Sequence, residues 1–575
     1  MLKLVRYLAK YKKESIISPL FKFLEACLEL IVPLIMAQII DVGIRDGNTG
    51  YILSRGAILL GLGLLGLTCS LTAQYFAAKA AYGFGTELRS DLFAHIQGLS
   101  YSELDKLGTS TLITRLTADA NQAQNGVNMF LRLFLRSPFI VIGALIMAFT
   151  INVPIALIFL AAVPVLGGVI YGITAYSLPR YRQVQKELDQ VSLTTRENLA
   201  GVRVIRAFSR QAAEQKKFEQ ENRTLRDTQL KVGKISALLN PLTYVIVNLA
   251  IVLIVWQGAH KVYEGAISQG QVIALVNYMT QILTALVALA GLIVTLTKAS
   301  ASSLRIQEIF DVTSSMQSGT QEPVGSSAYK IEFEHVSMKY HKEADPALQD
   351  ISFRVKPGET IGIIGGTGDG KSTLVQLIPR FYDVCEGAVK VDGEDVRQYP
   401  LAALRQKIGL VPQKAVLFKG TIRDNIRWGA PEATDEEIWH ALEIAQAREI
   451  VEKKPEGLDT MIEQGGTNLS GGQRQRLTVA RALVRRPDIL ILDDSSSALD
   501  MATDAAMRRA IRTETAGMTT LIVSQRAVAI QNADCILVLD DGQLIGQGTH
   551  EELLESCEVY REICLSQQSE GEVGA

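Results

Sequence analysis

Eight consecutive residues, Gly365-Gly366-Thr367-Gly368-Asp369-Gly370-Lys371-Ser372, fit the spacing GxxxxGK[ST], whose chemistry is the holding of a polyphosphate. Glycines let the backbone curl so that several N–H groups converge on phosphate oxygens at the N-terminus of a helix. Lys371 reaches the β and γ phosphates in such a loop, and the Ser372 hydroxyl ligates Mg²⁺. The loop needs a strand before it and a helix after it. Both are legible, as the apolar run Thr360-Ile361-Gly362-Ile363-Ile364 and the helix-compatible Thr373-Leu374-Val375-Gln376-Leu377. A second apolar run, Ile489-Leu490-Ile491-Leu492, ends in Asp493-Asp494, and an acid closing a buried strand is what a Mg²⁺-nucleotide site uses to hold its metal. From about residue 329 short β-branched strands alternate with helical segments, the α/β pattern.

The first 300 residues are of another kind. Stretches with no Asp, Glu, Lys or Arg run over residues 56–78, 137–179, 235–259 and 265–297, and each is long enough for the ~20 residues of a bilayer-spanning helix. The second is long enough for two spans and is broken at Asn152-Val153-Pro154, which favours a turn. With a less clean span over about 15–40 the expected count is six, and the basic start, MLKLVRYLAKYKK, leads into a first hydrophobic segment that is retained. Residues 1–13 carry five basic residues and no acid, and residues 180–234 are also rich in Arg and Lys. The positive-inside rule therefore predicts both termini in the cytoplasm. The long connections over about 79–130 and 180–234 read as helical extensions reaching into the cytoplasm. The 58 basic and 60 acidic residues nearly cancel, which argues against a nucleic-acid partner. The six cysteines show no CxxC or zinc spacing and read as reduced thiols.

Between the two nucleotide motifs lies Leu469-Ser470-Gly471-Gly472-Gln473. With this pentapeptide the sequence resembles the ABC transporter family over essentially its whole length, as a half-size exporter. The expected fold class is a multidomain membrane protein, with an all-α six-helix transmembrane domain over 1–310, an α/β P-loop nucleotide-binding domain over 329–566, and a polar, unstructured tail over 567–575. The resemblance implies ATP and Mg²⁺ as ligands. It assigns Gly366, Thr367, Gly368, Asp369, Gly370, Lys371, Ser372 and Thr373 to phosphate binding, and Tyr340 to stacking on adenine. It places Ser372, Asp493 and Gln413 at the metal, with Gln413 also touching the attacking water, and makes Ser497-Ala498-Leu499-Asp500 a loop that crosses a dimer interface. Ser470, Gly471, Gly472 and Gln473 would close on a nucleotide held by a second subunit. Short helices within residues 101–116 and 197–208 would couple nucleotide closure to the membrane helices.

Two positions depart from the family pattern, and both belong to the hydrolytic machinery. Asp494 stands where the family has a glutamate that polarises the attacking water, and Gln525 stands where it has a histidine. General-base action needs heavy atoms within about 2.6–3.2 Å, so a carboxylate one methylene shorter acts poorly, and a neutral amide carries no positive charge to a γ phosphate. The LSGGQ segment is intact. This asymmetry resembles the degenerate-site subunit of heterodimeric bacterial multidrug exporters, whose partner would carry Glu and His at the two positions. The implied setting is a bacterial cell membrane, with membrane lipids and an amphipathic small-molecule substrate as further partners. Lipid or peptide export, and an ATP-gated regulatory protein with little turnover, are the alternatives. Among polar residues within the spans, Glu25, Glu29, Asn248, Gln257, Asn277 and Gln281 are candidates to line a cavity, with Glu29 placed to attract cationic drugs. Alternatively Lys22, Glu25 and Glu29 form a local network on one helix face.

Overall fold

The computed structural model describes residues 2–321, 327–341, 343–495, 498–515 and 517–573. The chain divides into two compact units, Met1–Gln97 with Gly108–Val312, and Gly98–Leu107 with Thr313–Ala575.

The first unit is helical. Among the described residues six helices are long and apolar enough to cross a membrane: Arg6–Ile44, Thr49–Gln97, Thr109–Ile151, Val153–Ala200, Gln211–Tyr263 and Gln269–Asp311. They run from 39 to 53 residues. At 1.5 Å per residue they are about 58–80 Å long, twice or more the ~30 Å hydrocarbon core. Asn152 makes the expected hairpin: it is extended at φ −158°, and its side chain accepts a hydrogen bond from Ile155 N at 3.2 Å. The segment 101–116 is not one short helix. Gly108, at φ +74°, separates a helix Tyr101–Leu107 from the start of the third long helix. Within 197–208, a separate helix Val202–Ala207 follows Gly201.

Glu29 is not an isolated acid. It pairs with Arg136 of the third long helix at 2.6 Å, while Lys22 pairs with Glu25 at 2.6 Å and donates to Ser70 at 3.1 Å. Two cations and two acids therefore neutralise one another. Such pairing is the common solution for charge at membrane depth.

The last long helix is fixed at both ends. Ser268 and Gln271 form a capping box at its start, and Asp41 Oδ1 accepts from Gly270 N at 2.8 Å. At its end the His95 Nε2 lies 3.0 Å from the carbonyl oxygens of both Ile309 and Val312.

The second unit is built on a six-stranded sheet. Thr360–Ile364 lies between Cys535–Asp540 and Thr519–Val523, all parallel, followed outward by Ile489–Asp493 and Ile408–Val411. Gln543–Gly548 pairs antiparallel with Cys535–Asp540. Strands buried on both faces read as continuous apolar runs, as Ile489–Asp493 does, with every residue buried. A second sheet of four antiparallel strands includes Ile331–Met338 and Leu348–Val355. One apolar core gathers residues of both sheets, among them Phe333, Phe353, Ile363 and Ile491.

One ion cluster braces this unit. Asp392 accepts from Lys330 at 2.8 Å and from Lys407 at 2.5 Å. Burial alone would raise the Asp392 carboxyl, but hydrogen bonds from the two lysines outweigh it and hold it below the ordinary carboxylate range. Asp392→Asn leaves two half-buried ammoniums without this counter-ion and is expected to cost ~2 kcal/mol, partial exposure reducing the loss expected for a fully buried pair. Because the folded-state pKa is depressed, the stabilisation is complete above the unfolded value of about 3.9 and is lost as pH falls below it. Thermal unfolding of the purified protein should therefore show a constant gap between parent and variant from pH 7 to pH 5.

The C-terminal residues differ from expectation. Of the tail expected over 567–575, residues 567–573 belong instead to a helix, Glu558–Val573, and the last two lie outside the described residues. Upstream of the polar run, Tyr560 and Cys564 are buried against the unit, and that anchor carries the helix on.

Candidate nucleotide site

The phosphate loop hangs between the strand Thr360–Ile364 and the helix Lys371–Leu377. Gly368 and Gly370 adopt φ of +104° and +85°, a region that glycine enters without steric cost. A side chain at Gly370 would also run into the carbonyl of Ala347. The loop therefore packs closely against the chain at Ala347, with no room for a side chain at Gly370. Lys371 is almost fully buried, and its ammonium donates to the carbonyls of Gly365, at 3.0 Å, and Gly366. Burial lowers its pKa.

The carboxylates arrive on the neighbouring strand. Asp493 closes Ile489–Asp493 and accepts from the Ser372 hydroxyl at 2.9 Å. Its pKa is raised, first by burial and further by the charge of Asp494, against the pull of Ser372 and Lys371. Asp494 follows at φ +45°, and its N–H donates to Val523 O at 3.0 Å. Burial raises its carboxyl too, while a hydrogen bond with Gln413 and the charge of Lys371 oppose the rise. Strand Thr519–Val523 then delivers Ser524, whose N–H donates to Ile363 O at 3.0 Å, and Gln525.

These residues meet in one cavity of about 270 Å³. Tyr340, Thr367, Gly368, Gly370, Lys371, Ser372, Thr373, Gln413, Asp493, Asp494 and Gln525 all line it. Gly366 and Asp369 do not. Gly366 serves through its carbonyl, and the Asp369 carboxylate folds over the loop, where a Cβ on Gly366 would meet its Oδ2 at 3.2 Å. The cavity holds the Lys371 ammonium, a glycine-rich loop leading into a helix start, and the Ser372 hydroxyl beside the Asp493 carboxylate. That donor set fits a magnesium-bound polyphosphate, with Ser372 and Asp493 at the metal. Tyr340 sits at the cavity's outer side, its hydroxyl 2.9 Å from Thr373 Oγ1.

The LSGGQ residues lie outside this cavity. Ser470 caps the helix Gly471–Leu483, with Gln473 completing a capping box. Ser470 is exposed, so the helix N-terminus, of a kind that attracts anions, is open to solvent and takes no part in the cavity of the chain's own phosphate loop. Ala498 lies against it: a Cβ on Gly472 would meet Ala498 O at 2.9 Å. Ser497, expected at the same interface, lies outside the described residues.

Sequence reasoning missed Tyr382. Its ring meets Tyr340 edge-on at 5.1 Å between centroids, and its hydroxyl donates to Asp105 of the helix Tyr101–Leu107 at 2.6 Å. No spacing signals a contact between residues 277 apart. Only the aromatic pair Phe381-Tyr382 hints at a platform there. If Tyr340 stacks on adenine, as the family resemblance implies, its truncation to alanine weakens ATP binding by ~1–3 kcal/mol, the value of a lost base–aromatic stack. The reading is nucleotide titration of the purified protein.

Known proteins with the same organisation match along the chain. A family model described as the ABC transporter transmembrane region matches residues 15–286, and one described as ABC transporter matches residues 348–497. The chain is 39% identical to the uncharacterized ABC transporter ATP-binding protein YfiB of Bacillus subtilis, over 99% of this chain and 98% of that one. It is 32% identical to the putative multidrug export ATP-binding/permease protein YgaD of Bacillus subtilis, over 98% of each chain. It is also 32% identical to the ATP-dependent lipid A-core flippase of Hahella chejuensis, over 90% of this chain and 88% of that one. A solved bacterial Atm1-family ABC exporter with ATP bound superposes with a TM-score of 0.81 at 23% identity, covering 97% of this chain and 99% of that chain.

Proposed function

The chain belongs to the ABC transporter family, as an exporter half-transporter with ATP-hydrolysing transport as its activity, and from that premise we propose that it is the degenerate-site subunit of a heterodimer. The observation that carries this reading is the placement of both departures, Asp494 and Gln525, in one cavity with an intact Lys371, Ser372 and Asp493. The intact Ser470 helix cap stands apart, exposed.

In this reading the chain's own loop holds the ATP phosphates, with Lys371 neutralising the β and γ oxygens and Tyr340 stacking on adenine. Ser372, Asp493 and Gln413 hold Mg²⁺, which when bound neutralises charge on the phosphates. Asp494 holds a water too far from the γ phosphorus, and Gln525 offers that phosphate an amide without charge. ATP therefore stays here while hydrolysis proceeds at the partner's phosphate loop, which Ser470, Gly471, Gly472 and Gln473 complete. Both termini and the nucleotide unit are cytoplasmic in a bacterial cell membrane, and the substrate is an amphipathic compound of the drug class. The relative named as a multidrug exporter supports that class. The relative named as a lipid A-core flippase supports a second reading, in which the substrate is a lipid.

The test is to tag this chain alone, purify it in detergent from its native membrane, and measure what comes with it. A second half-transporter at one-to-one ratio, with Glu and His aligned to Asp494 and Gln525, is the expected result. Recovery of a homodimer overturns the reading. ATPase stimulation by drugs against stimulation by lipids then separates the two substrate classes.

A further inference from the structure

We infer that Gln567, on the C-terminal helix Glu558–Val573, is a positioning residue for Gln525: its side-chain amide clamps the backbone on both sides of the segment that aims Gln525 into the nucleotide cavity. The inference rests on the proposed role of Gln525 toward the γ phosphate.

The geometry is bidentate. Gln567 Nε2 donates to the Gln525 carbonyl at 2.7 Å, and Gln567 Oε1 accepts from Ala527 N at 2.9 Å. A primary amide carries donor and acceptor side by side, so it can hold one carbonyl and the N–H two residues on at once. Both groups need such a partner. Ala527 opens the short helix Ala527–Ile530, and Arg526 at its N-cap supplies no side-chain cap. The first N–H groups of a helix have no intrahelical acceptor, and Gln567 provides one from 40 residues away. The rest of this stretch is held by Ser524 N donating to Ile363 O at 3.0 Å, Arg526 N donating to Ser524 Oγ at 3.0 Å and Ala529 N donating to Arg526 O at 3.0 Å, none of which engages the Gln525 carbonyl or the Ala527 N–H.

The clamp is anchored rather than adventitious. Tyr560 is fully buried and Cys564 nearly so, in one apolar cluster with Ala527, Ala529 and Ile530. Tyr560 is further tied to His550 Nδ1 through its hydroxyl at 2.7 Å. Helix side chains three, four and seven apart share a face, so Tyr560, Cys564 and Gln567 form one stripe that docks on the helix following Gln525. Two turns of buried contact thus fix the amide's position. The amide in turn fixes where the Gln525 backbone, and hence its side chain in the cavity, points.

The inference gives Gln567 a specific readout. Lys371, Ser372 and Asp493 hold the phosphates that ADP shares with ATP, whereas Gln525 is proposed to answer only to the γ phosphate. Losing the clamp should therefore erode the preference for ATP over ADP and leave ADP binding as it was. The experiment is photolabelling of this chain's band by 8-azido-ATP in the purified, assembled transporter with Mg²⁺, competed by ATP and by ADP. For Gln567→Ala the ATP-over-ADP preference is expected to fall about ten- to a hundredfold, the loss of one hydrogen bond to a charged group. Gln567→Glu should lie between parent and alanine, because a carboxylate accepts from Ala527 N but has nothing to donate to the Gln525 carbonyl. In a Gln525→Ala background, Gln567→Ala should change the preference no further, the signature of two residues acting as one.

An unchanged preference in Gln567→Ala, while Gln525→Ala loses it, overturns the inference and leaves the role of Gln525 standing. Equal further losses in the Gln525→Ala background reduce Gln567 to general packing and also overturn it. An unchanged preference in Gln525→Ala itself shows instead that the reading of Gln525 has failed.

Discussion

Ser470→Asp is expected to abolish most ATP turnover of the assembled transporter, by about 10²–10³-fold, without destabilising the chain. Aspartate is as good an N-cap as serine, so the helix Gly471–Leu483 keeps its start. A carboxylate there nevertheless points negative charge at the place where the partner's γ phosphate would sit, reversing the attraction of a helix N-terminus for anions. Removing a single preorganised donor from a developing charge costs ~10²–10³ in rate, and like charge does not cost less. The measurement is steady-state ATPase alongside the thermal midpoint. A rate within about twofold of the parent, well under the one-donor loss, with an unchanged midpoint, would show that this helix end is not used across a dimer.

The second large effect runs the other way. Asp494→Glu restores the reach of the carboxylate and should raise hydrolysis at this chain's own site by ~10–10²-fold, part of the 10²–10⁴ that a placed base contributes. The gain is limited by the backbone, since Asp494 sits at φ +45°. Asp and Asn tolerate that left-handed region better than other L-residues, and the conformation costs such residues roughly 1–2 kcal/mol. The reading is phosphate release in the assembled transporter, with the glutamate of the proposed partner changed to glutamine. Adding Gln525→His should raise the rate further, by supplying a donor that can carry charge. If neither change lifts the rate above background, the proposal that Asp494 and Gln525 limit hydrolysis at this site is overturned.

The parts of the site that were legible in sequence are those made by contiguous residues. The loop 365–372 has one geometry available to it once a strand precedes it and a helix follows, and the structure sets it between Thr360–Ile364 and Lys371–Leu377. The hairpin at Asn152 was legible for the same reason, because a helix start needs a local acceptor and Asn152 supplies its own. What was not legible depends on partners far along the chain. Glu29 meets Arg136 at a separation of 107 residues, and Tyr382 meets Asp105 at a separation of 277. The C-terminal run after Leu565 is polar in composition, so it reads as tail. Its order comes from Tyr560 and Cys564 upstream, whose burial no local pattern announces. The break at Gly108 was visible as a glycine, but its φ of +74° is dictated by where the chain must go next.

The helix Gln269–Asp311 has no proline inside it, and its ends are held by Asp41 with the Ser268 capping box and by His95. Forty-three residues at 1.5 Å each make a strut of about 64 Å. Such a strut lacks proline, one of the usual causes of a sharp kink, whereas another long helix, Val153–Ala200, contains two, Pro164 and Pro179. A tilt of ~5° about one end carries the other through about 6 Å, roughly one helical turn. A helix of this length thus has the geometry of a lever arm, in which a small tilt at one end is a large displacement at the other.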